Sequence, residues 1–164
     1  MKITKEELIE LGACEEGLDR FIIQTNDTDE PVEASSLVGG ENIYSDLLWL
    51  AGKKLTKDRI VRFACDCALI NIEMIKPYTD KYDMIVDFLR NPATHVATDA
   101  ADAARAAAYA ATDVYAYSVA YAVARVAGDG ATHAVYVTSA ADAAIRAAYG
   151  NRDKVDELLK ELFA

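Results

Sequence analysis

Residues 97–127 read ATDAADAARAAAYAATDVYAYSVAYAVARVA, and this alanine-rich stretch decides the fold class. The chain contains 30 alanines, and 23 of them fall within residues 97–148. Alanine is the best helix former and is depleted in β-strands, so this density excludes an all-β protein. We therefore predict an all-α protein, a single-domain bundle of about seven helices.

Small side chains repeat along this stretch at the spacing of a helix–helix contact. From Ala97 to Val126 the apolar positions follow alternating steps of four and three residues with one exception, which is the seam of a coiled-coil-like contact. A second seam runs from Ala134 to Ala148, after a Gly-Asp-Gly reversal. We expect one helix over residues 96–127 and a second helix antiparallel to it, forming an alanine-rich helical hairpin in the C-terminal half.

Shorter amphipathic helices and one long loop make up the rest of the chain. Thr4 and Glu7 form a capping-box pattern at the first helix, and a helix over residues 56–75 is stopped by the following proline. Residues 25–40 are polar and acidic and contain a proline and two glycines, so they are predicted to be a loop, ordered or mobile. The whole chain, residues 1–164, fits one domain.

The balance of charge restricts the class of partner. The chain has 27 acidic and 17 basic side chains, a formal net charge of −10. Binding to a nucleic-acid backbone requires a positive surface, and the one basic cluster, residues 53–62, has acidic residues in and beside it. We expect no nucleic-acid partner, because an acidic surface is a better match for a basic protein.

Cysteine usage and hydropathy indicate the compartment. Cys14, Cys65 and Cys67 are a sparse, odd set, and the N-terminal residues are charged and amphipathic rather than signal-like. These features indicate reduced thiols in a cytoplasm. The most apolar long stretch, residues 106–127, contains one acidic and one basic side chain, whereas a membrane span needs ~20 strongly apolar residues. We expect a cytoplasmic protein with no membrane span.

No motif in the chain predicts catalysis. The sequence lacks GxSxG, a phosphate-binding loop and HExxH, and no nucleophile motif accompanies His95 or His133. Cys65 and Cys67 stand two residues apart, so on a helix their thiols point in nearly opposite directions and cannot hold one metal ion. We predict a protein that is not an enzyme and that has no metal and no cofactor.

The outer face of the predicted long helix is the main candidate surface. At ~100° per residue, acidic and tyrosine side chains gather on one face, and tyrosine provides a large contact area at low entropic cost. The alternative is a solvated polar face on which tyrosines cover the alanine backbone. The candidate partner-binding residues are Asp99, Asp102, Arg105, Tyr109, Asp113, Tyr117 and Tyr121.

A second candidate site is an internal polar pocket formed by Arg62, Asp66 and Asn71. The simpler interpretation, which we favour, is a surface ion pair between Arg62 and Asp66, one helical turn apart. Stacking on tyrosine together with Arg62, Arg105 or Arg125 could also hold a small nucleotide-like ligand.

Several short motifs occur in a characteristic order along most of the chain. They are Leu11-Gly12-Ala13-Cys14 with Gly17 and Phe21, Leu48-Trp49-Leu50, Ala64-Cys65, Pro77 with Asp80, and His133-Ala134 within the alanine-rich half. In this order they resemble the immunity-protein family, whose members are alanine-rich, all-helical domains of bacterial polymorphic-toxin loci and phages.

The resemblance implies a non-enzymatic protein that neutralises a toxin or a defence effector by stoichiometric binding, of the immunity or phage counter-defence type. It brings no catalytic residues to this chain. Two alternatives remain: a sponge that sequesters a small nucleotide-like signal between helices or subunits, and, ranked last, a mimic of duplex DNA. A homodimer is also open, because alanine seams serve both internal packing and dimerisation.

Overall fold

The computed structural model describes residues 1–92, 97–130, 136–148 and 150–164, and within these ranges nine α-helices form the protein. The all-α prediction is confirmed. The helices are α1 (Lys5–Glu10), α2 (Glu15–Thr25), α3 (Tyr44–Lys54), α4 (Lys57–Leu69), α5 (Tyr82–Arg90), α6 (Ala97–Ala110), α7 (Val114–Arg125), α8 (Val137–Ala147) and α9 (Arg152–Phe163).

The first two helices begin at side-chain caps. The Thr4 hydroxyl accepts a hydrogen bond from the backbone N–H of Glu7 at 3.2 Å, as the capping pattern predicts. The thiol of Cys14 has the same role at α2, where it accepts from the N–H of Gly17 at 3.4 Å. The turn between α1 and α2 passes through Gly12, whose φ of +82° is a conformation that favours glycine.

The acidic loop, residues 25–40, carries regular structure. Strand β1 (Lys2–Ile3) pairs antiparallel with strand β2 (Val32–Glu33), and a 3₁₀ turn (Ala34–Leu37) follows β2. The backbone nitrogen of Met1 donates to the carbonyl of Phe163 at 2.8 Å, so this small sheet also reaches the end of α9.

One contiguous hydrophobic core runs through the bundle, and α4 lies near its centre, in contact with α5, α8 and α9. The second predicted alanine seam is confirmed where the structure describes it, because its positions on α8 and just after it are buried. Ala134, the first position of that seam, lies outside the described residues. The buried seam positions are Val137, Ala141, Ala144 and Ala148.

The prediction of one helix over residues 96–127 is wrong. Helix α6 ends at Ala110, and Asp113 begins α7 by accepting hydrogen bonds from the N–H groups of Tyr115 and Ala116 at 2.9 and 3.0 Å. Aspartate is among the strongest N-caps, and its side chain competes with the helix for local backbone donors. The alanine-rich stretch therefore folds into two helices.

Helices α6 and α7 form an antiparallel pair. A π-helical turn, Val126–Gly130, continues α7, and a Cβ atom placed at Gly128 would lie 3.7 Å from the Cβ of Ala101. The first half of α6 thus lies beside the end of α7. An alanine-lined hairpin is present in the C-terminal half, but its arms are α6 and α7, and α8 packs on α7 and α4.

The helix predicted over residues 56–75 is shorter than expected. Helix α4 ends at Leu69, and a 3₁₀ turn, Ile72–Tyr78, follows it. The side-chain amide of Asn71 donates to the carbonyl of Ala147 at 2.9 Å, and this non-local bond fixes the chain where the helix ends. Within the described ranges, no helix combines the length and the apolar character that crossing a bilayer requires.

Candidate partner-binding surface

A cleft of about 300 Å³ lies between α6 and α7, and we call it the tyrosine cleft. The lining from α6 comes from the second half of that helix, and the lining from α7 begins at Tyr117. The residues that line it are Arg105, Ala108 and Tyr109 from α6 and Tyr117, Tyr121, Ala124 and Arg125 from α7.

The sequence pattern explains why tyrosines border this cleft. Ala104, Ala108, Ala120 and Ala124 are all buried, and their small side chains let the two helices approach closely. A tyrosine ring has no space in such a contact, so the rings stand at its edge. Tyr109 is 88% exposed, the largest exposed fraction among the large apolar side chains of the described chain.

The α7 wall of the cleft is ordered by contacts along the helix. The rings of Tyr117 and Tyr121 stack with centroids 6.1 Å apart and planes inclined by 10°. One turn further on, Arg125 Nη1 lies 3.4 Å from the Tyr121 hydroxyl, and Arg125 Nη2 donates to Ser139 Oγ of α8 at 2.9 Å. These contacts already restrict the rotamers of Tyr117, Tyr121 and Arg125. Binding a partner would therefore cost less side-chain entropy.

Arg105 is held on the α6 wall in a similar way. Its Nη1 donates to the Asp102 carboxylate at 2.6 Å. A Cβ atom placed at Gly128 would lie 2.9 Å from Arg105 Nη2, so glycine at that position gives the guanidinium space beside the turn after α7. Both arginines of the cleft are thus held by hydrogen bonds, Arg105 to a residue of its own helix and Arg125 to residues of α7 and α8.

The structure brings together four of the seven predicted partner-binding residues, and a fifth, Asp102, joins them through its ion pair with Arg105. Asp99 is exposed in the first turn of α6, and Asp113 is the N-cap of α7. The prediction of one helix face, with Arg105 and Tyr121 at its margins, is wrong, because the seven residues are divided between α6 and the start and body of α7. The four residues that meet at the cleft are Arg105, Tyr109, Tyr117 and Tyr121.

Sequence reasoning missed the apolar side chains at the start of α7. Val114 is 67% exposed and Tyr115 is 46% exposed. The first of the two predicted seams includes Tyr115 among its inward positions, so the structure contradicts that seam there. Val114 and Tyr115 both line a neighbouring cleft with Asn71 and Met74. The sequence feature that could have revealed this exposure is Asp113. When a new helix begins at Asp113, the residues after it no longer continue the angular positions of the preceding helix.

The predicted pocket of Arg62, Asp66 and Asn71 does not form. Arg62 pairs with Asp66 at 3.2 Å and donates to the carbonyl of Arg90 at 2.5 Å, so the ion-pair interpretation is confirmed. Burial raises the pKa of Asp66, while the charge of Arg62 opposes that rise. Asn71 lies elsewhere, where its side chain accepts from Asn151 Nδ2 at 3.1 Å.

The remaining candidate chemistry is buried or lies outside the described part of the chain. Cys65 and Cys67 are buried, and burial raises the pKa of Cys65 to about 12 and that of Cys67 further in the same direction. In the described ranges, no three histidine, cysteine or carboxylate side chains are grouped to hold a metal ion. His95 and His133 lie outside those ranges, as does Tyr149.

No family model, curated protein or solved structure matches the chain. The resemblance to the immunity-protein family therefore depends on the sequence motifs alone and stays a prediction.

Proposed function

We propose that this protein is a stoichiometric inhibitor that uses the tyrosine cleft to bind a partner protein. One observation carries the proposal: three exposed tyrosines and two oriented arginines border a single cleft in a helical hairpin. Tyrosine and arginine are enriched among the residues that dominate binding energy at protein interfaces. The stacked pair, Tyr117 and Tyr121, would lose little further freedom on binding.

Charge favours a basic partner. The chain has a formal net charge of −10, and the carboxylates of Asp99 and Asp102 are exposed on α6, the helix that forms one wall of the cleft. A negative field accelerates the encounter with a positively charged partner and disfavours acidic ones. In this proposal the cleft supplies the apolar and hydrogen-bonding contacts, and the net negative charge of the chain favours a basic partner.

The proposed partner is a toxin or a defence effector, and the proposed type of activity is immunity or phage counter-defence. This step depends on the resemblance of the sequence motifs. Binding alone would neutralise such a target, so the proposal requires no catalytic residue and no cofactor. Cys14, Cys65 and Cys67 are free thiols, which supports a reducing cytoplasm as the place of action.

Native mass spectrometry of the protein purified gently from its own host tests this proposal. A protein that co-purifies at fixed stoichiometry, and whose toxic or defensive activity falls on binding, is the expected result. If the partner binds equally well to a Tyr109→Ala/Tyr117→Ala double variant, the tyrosine cleft is not the interface. If a captured partner keeps its full activity in the complex, the protein is not its inhibitor.

A second candidate function is a sponge for a small nucleotide-like signal. The observation that favours it is that Arg105 and Arg125 line the same cleft as the tyrosines, so one site offers both stacking surfaces and cations. A volume of about 300 Å³ stands at the lower end of small-molecule sites. Thermal shift with a set of mono- and dinucleotides separates the two functions, since a bound ligand raises the melting temperature.

A further inference from the structure

A second cavity lies in the N-terminal half of the protein, lined by residues of α1, α2 and α3 and of the segments that connect them, and by none of the residues of the tyrosine cleft. Its volume is about 310 Å³. An engineered apolar cavity of about 150 Å³ already binds benzene, so this cavity has space for an aromatic ring with a short substituent. Its buried apolar walls include Leu8, Phe21, Leu37 and Leu50, with Trp49 partly exposed beside them.

The Gly-Ala-Cys motif of the sequence builds one side of this cavity. Gly12, Ala13, Cys14, Gly17 and Phe21 all line it. A Cβ atom placed at Gly17 would lie 3.3 Å from Cys14 Sγ, a distance tighter than most Cβ contacts, and 3.4 Å from an Asp46 carboxylate oxygen. The glycine therefore lets α2 approach the first turn of α3.

Three polar side chains of the lining restrict the chemistry that the cavity can accept. Arg20 binds the Asp46 carboxylate through Nε at 2.7 Å and Nη2 at 2.8 Å, which leaves its Nη1 as a donor with no acceptor in the described part of the chain. Asn42 is more than nine-tenths buried, and its amide nitrogen donates to Gln24 Oε1 at 2.8 Å. Its Oδ1 accepts no hydrogen bond from the residues that the structure describes.

We propose that this cavity binds a small, uncharged, mainly apolar molecule with an amide-like head group. The Arg20–Asp46 ion pair has no net charge. A charged ligand would lose its hydration on entering the cavity and would find no opposite charge there to compensate for that loss. An amide instead offers an acceptor for Arg20 Nη1 and a donor for Asn42 Oδ1. This site is independent of protein docking at the tyrosine cleft.

Three probes with one apolar body test the proposal: phenylpropanamide, phenylpropanoate and phenylpropylamine. Trp49 is the sole tryptophan and lines the cavity, so its fluorescence reports directly on occupancy. We expect the amide to change Trp49 emission in a saturable way and to bind at least about tenfold more tightly than either charged probe. No saturable change with the amide, or tighter binding of a charged probe, would overturn the proposal.

A cavity-filling variant with a matched control locates the site. Ala13→Phe places a ring in the cavity, whereas Ala106→Phe makes the same change on the exposed face of α6. We expect about a tenfold or greater loss of amide binding in the first variant and wild-type binding in the second. Equal binding by both, with circular dichroism unchanged, would show that the amide binds elsewhere.

Alkylation of Cys14 gives a readout that needs no variant. Cys14 is exposed and lines the cavity, while Cys65 and Cys67 are buried, so iodoacetamide should modify Cys14 first in the folded protein. Phenylpropanamide should slow this reaction at the concentrations that change Trp49 emission, and the anion should not. If Ala13→Phe fails to fold, a Cys14 alkylation rate that the amide does not change would overturn the proposal.

Discussion

Tyr117 and Tyr121 stack one helical turn apart on α7, with ring centroids at 6.1 Å, and both are 44% exposed. Aromatic pairs at this separation attract each other beyond the area they bury. The pair is therefore ordered before any partner arrives, although nearly half of each side chain remains in contact with water. Arg125 extends the same row by one further turn, through its contact with the Tyr121 hydroxyl.

Tyr109 should contribute little to the stability of the fold and much to the affinity for the partner. Truncation of Tyr109, which is 88% exposed, removes almost no folded-state contact, but at an interface hot spot it should cost about 2 kcal/mol, or ~30-fold in affinity. Calorimetric titration of Tyr109→Ala and Tyr117→Ala against the captured partner measures this loss. Ile23→Ala is the control, because Ile23 is 63% exposed on α2 and lines neither cleft nor cavity.

Asp113 should stabilise the hairpin as the cap of α7. Its carboxylate accepts from two backbone N–H groups at the start of that helix, so Asp113→Ala should lower the free energy of unfolding by about 1 kcal/mol. Urea denaturation measures this change. Asp99→Ala is the comparison, since Asp99 lies in the first turn of α6 and should contribute only a few tenths of a kcal/mol through the helix dipole. Equal losses would mean that the cap adds no stability beyond charge.

Asp113 also shows why the break between α6 and α7 could not be predicted from the sequence. The alanine density is sufficient for the all-α class, and the steps of three and four residues located the buried side of α8. At residue 113, however, an aspartate is compatible both with the solvated face of a continuous helix and with the start of a new one. Periodicity cannot distinguish these, because the apolar pattern continues through the break with only a change of phase.

Asn71 illustrates a second limit. The predicted pocket placed Asn71 with Arg62 and Asp66 on one continuous helix, which required α4 to continue past Asn71, whereas α4 ends before it. The hydrogen bonds of Asn71 instead reach Ala147 and Asn151, which lie 76 and 80 residues further along the chain. A contact between residues so far apart in the sequence produces no pattern in the residues around Asn71. The tyrosine cleft was partly predictable for the opposite reason, because tyrosines interspersed with alanine must stand outside a close helix contact wherever the turn falls.

The alanine contact between α6 and its neighbours should tolerate no additional volume. Ala104 is fully buried, so Ala104→Leu forces the packed helices apart and should cost about 1–3 kcal/mol of stability. Ala106→Leu changes the same residue type two positions along on the exposed face, and should shift stability by less than about 0.5 kcal/mol. Guanidinium denaturation of both variants gives the comparison. A neutral Ala104→Leu would show that the hairpin is loosely packed.

Alkaline pH should weaken the contact between α3 and α9. Burial, followed by the 2.8 Å hydrogen bond that its hydroxyl donates to Asp156, raises the pKa of Tyr44 from 10.0 to about 12. The folded protein then binds this proton more tightly than the unfolded chain does. The stability from Tyr44 is therefore fully present below about pH 10 and is lost as pH rises towards 12.

Tyr44→Phe isolates this effect. The variant lacks the titrating hydroxyl, so it should lose less stability than the wild type between about pH 9 and pH 11, although it is less stable at neutral pH. Urea midpoints at the two pH values give the two slopes. Tyr82 and Cys65 have raised pKa values in both proteins and contribute equally to each slope, so they cancel in the difference. Parallel slopes would mean that the Tyr44 hydroxyl titrates alike in the folded and unfolded chains.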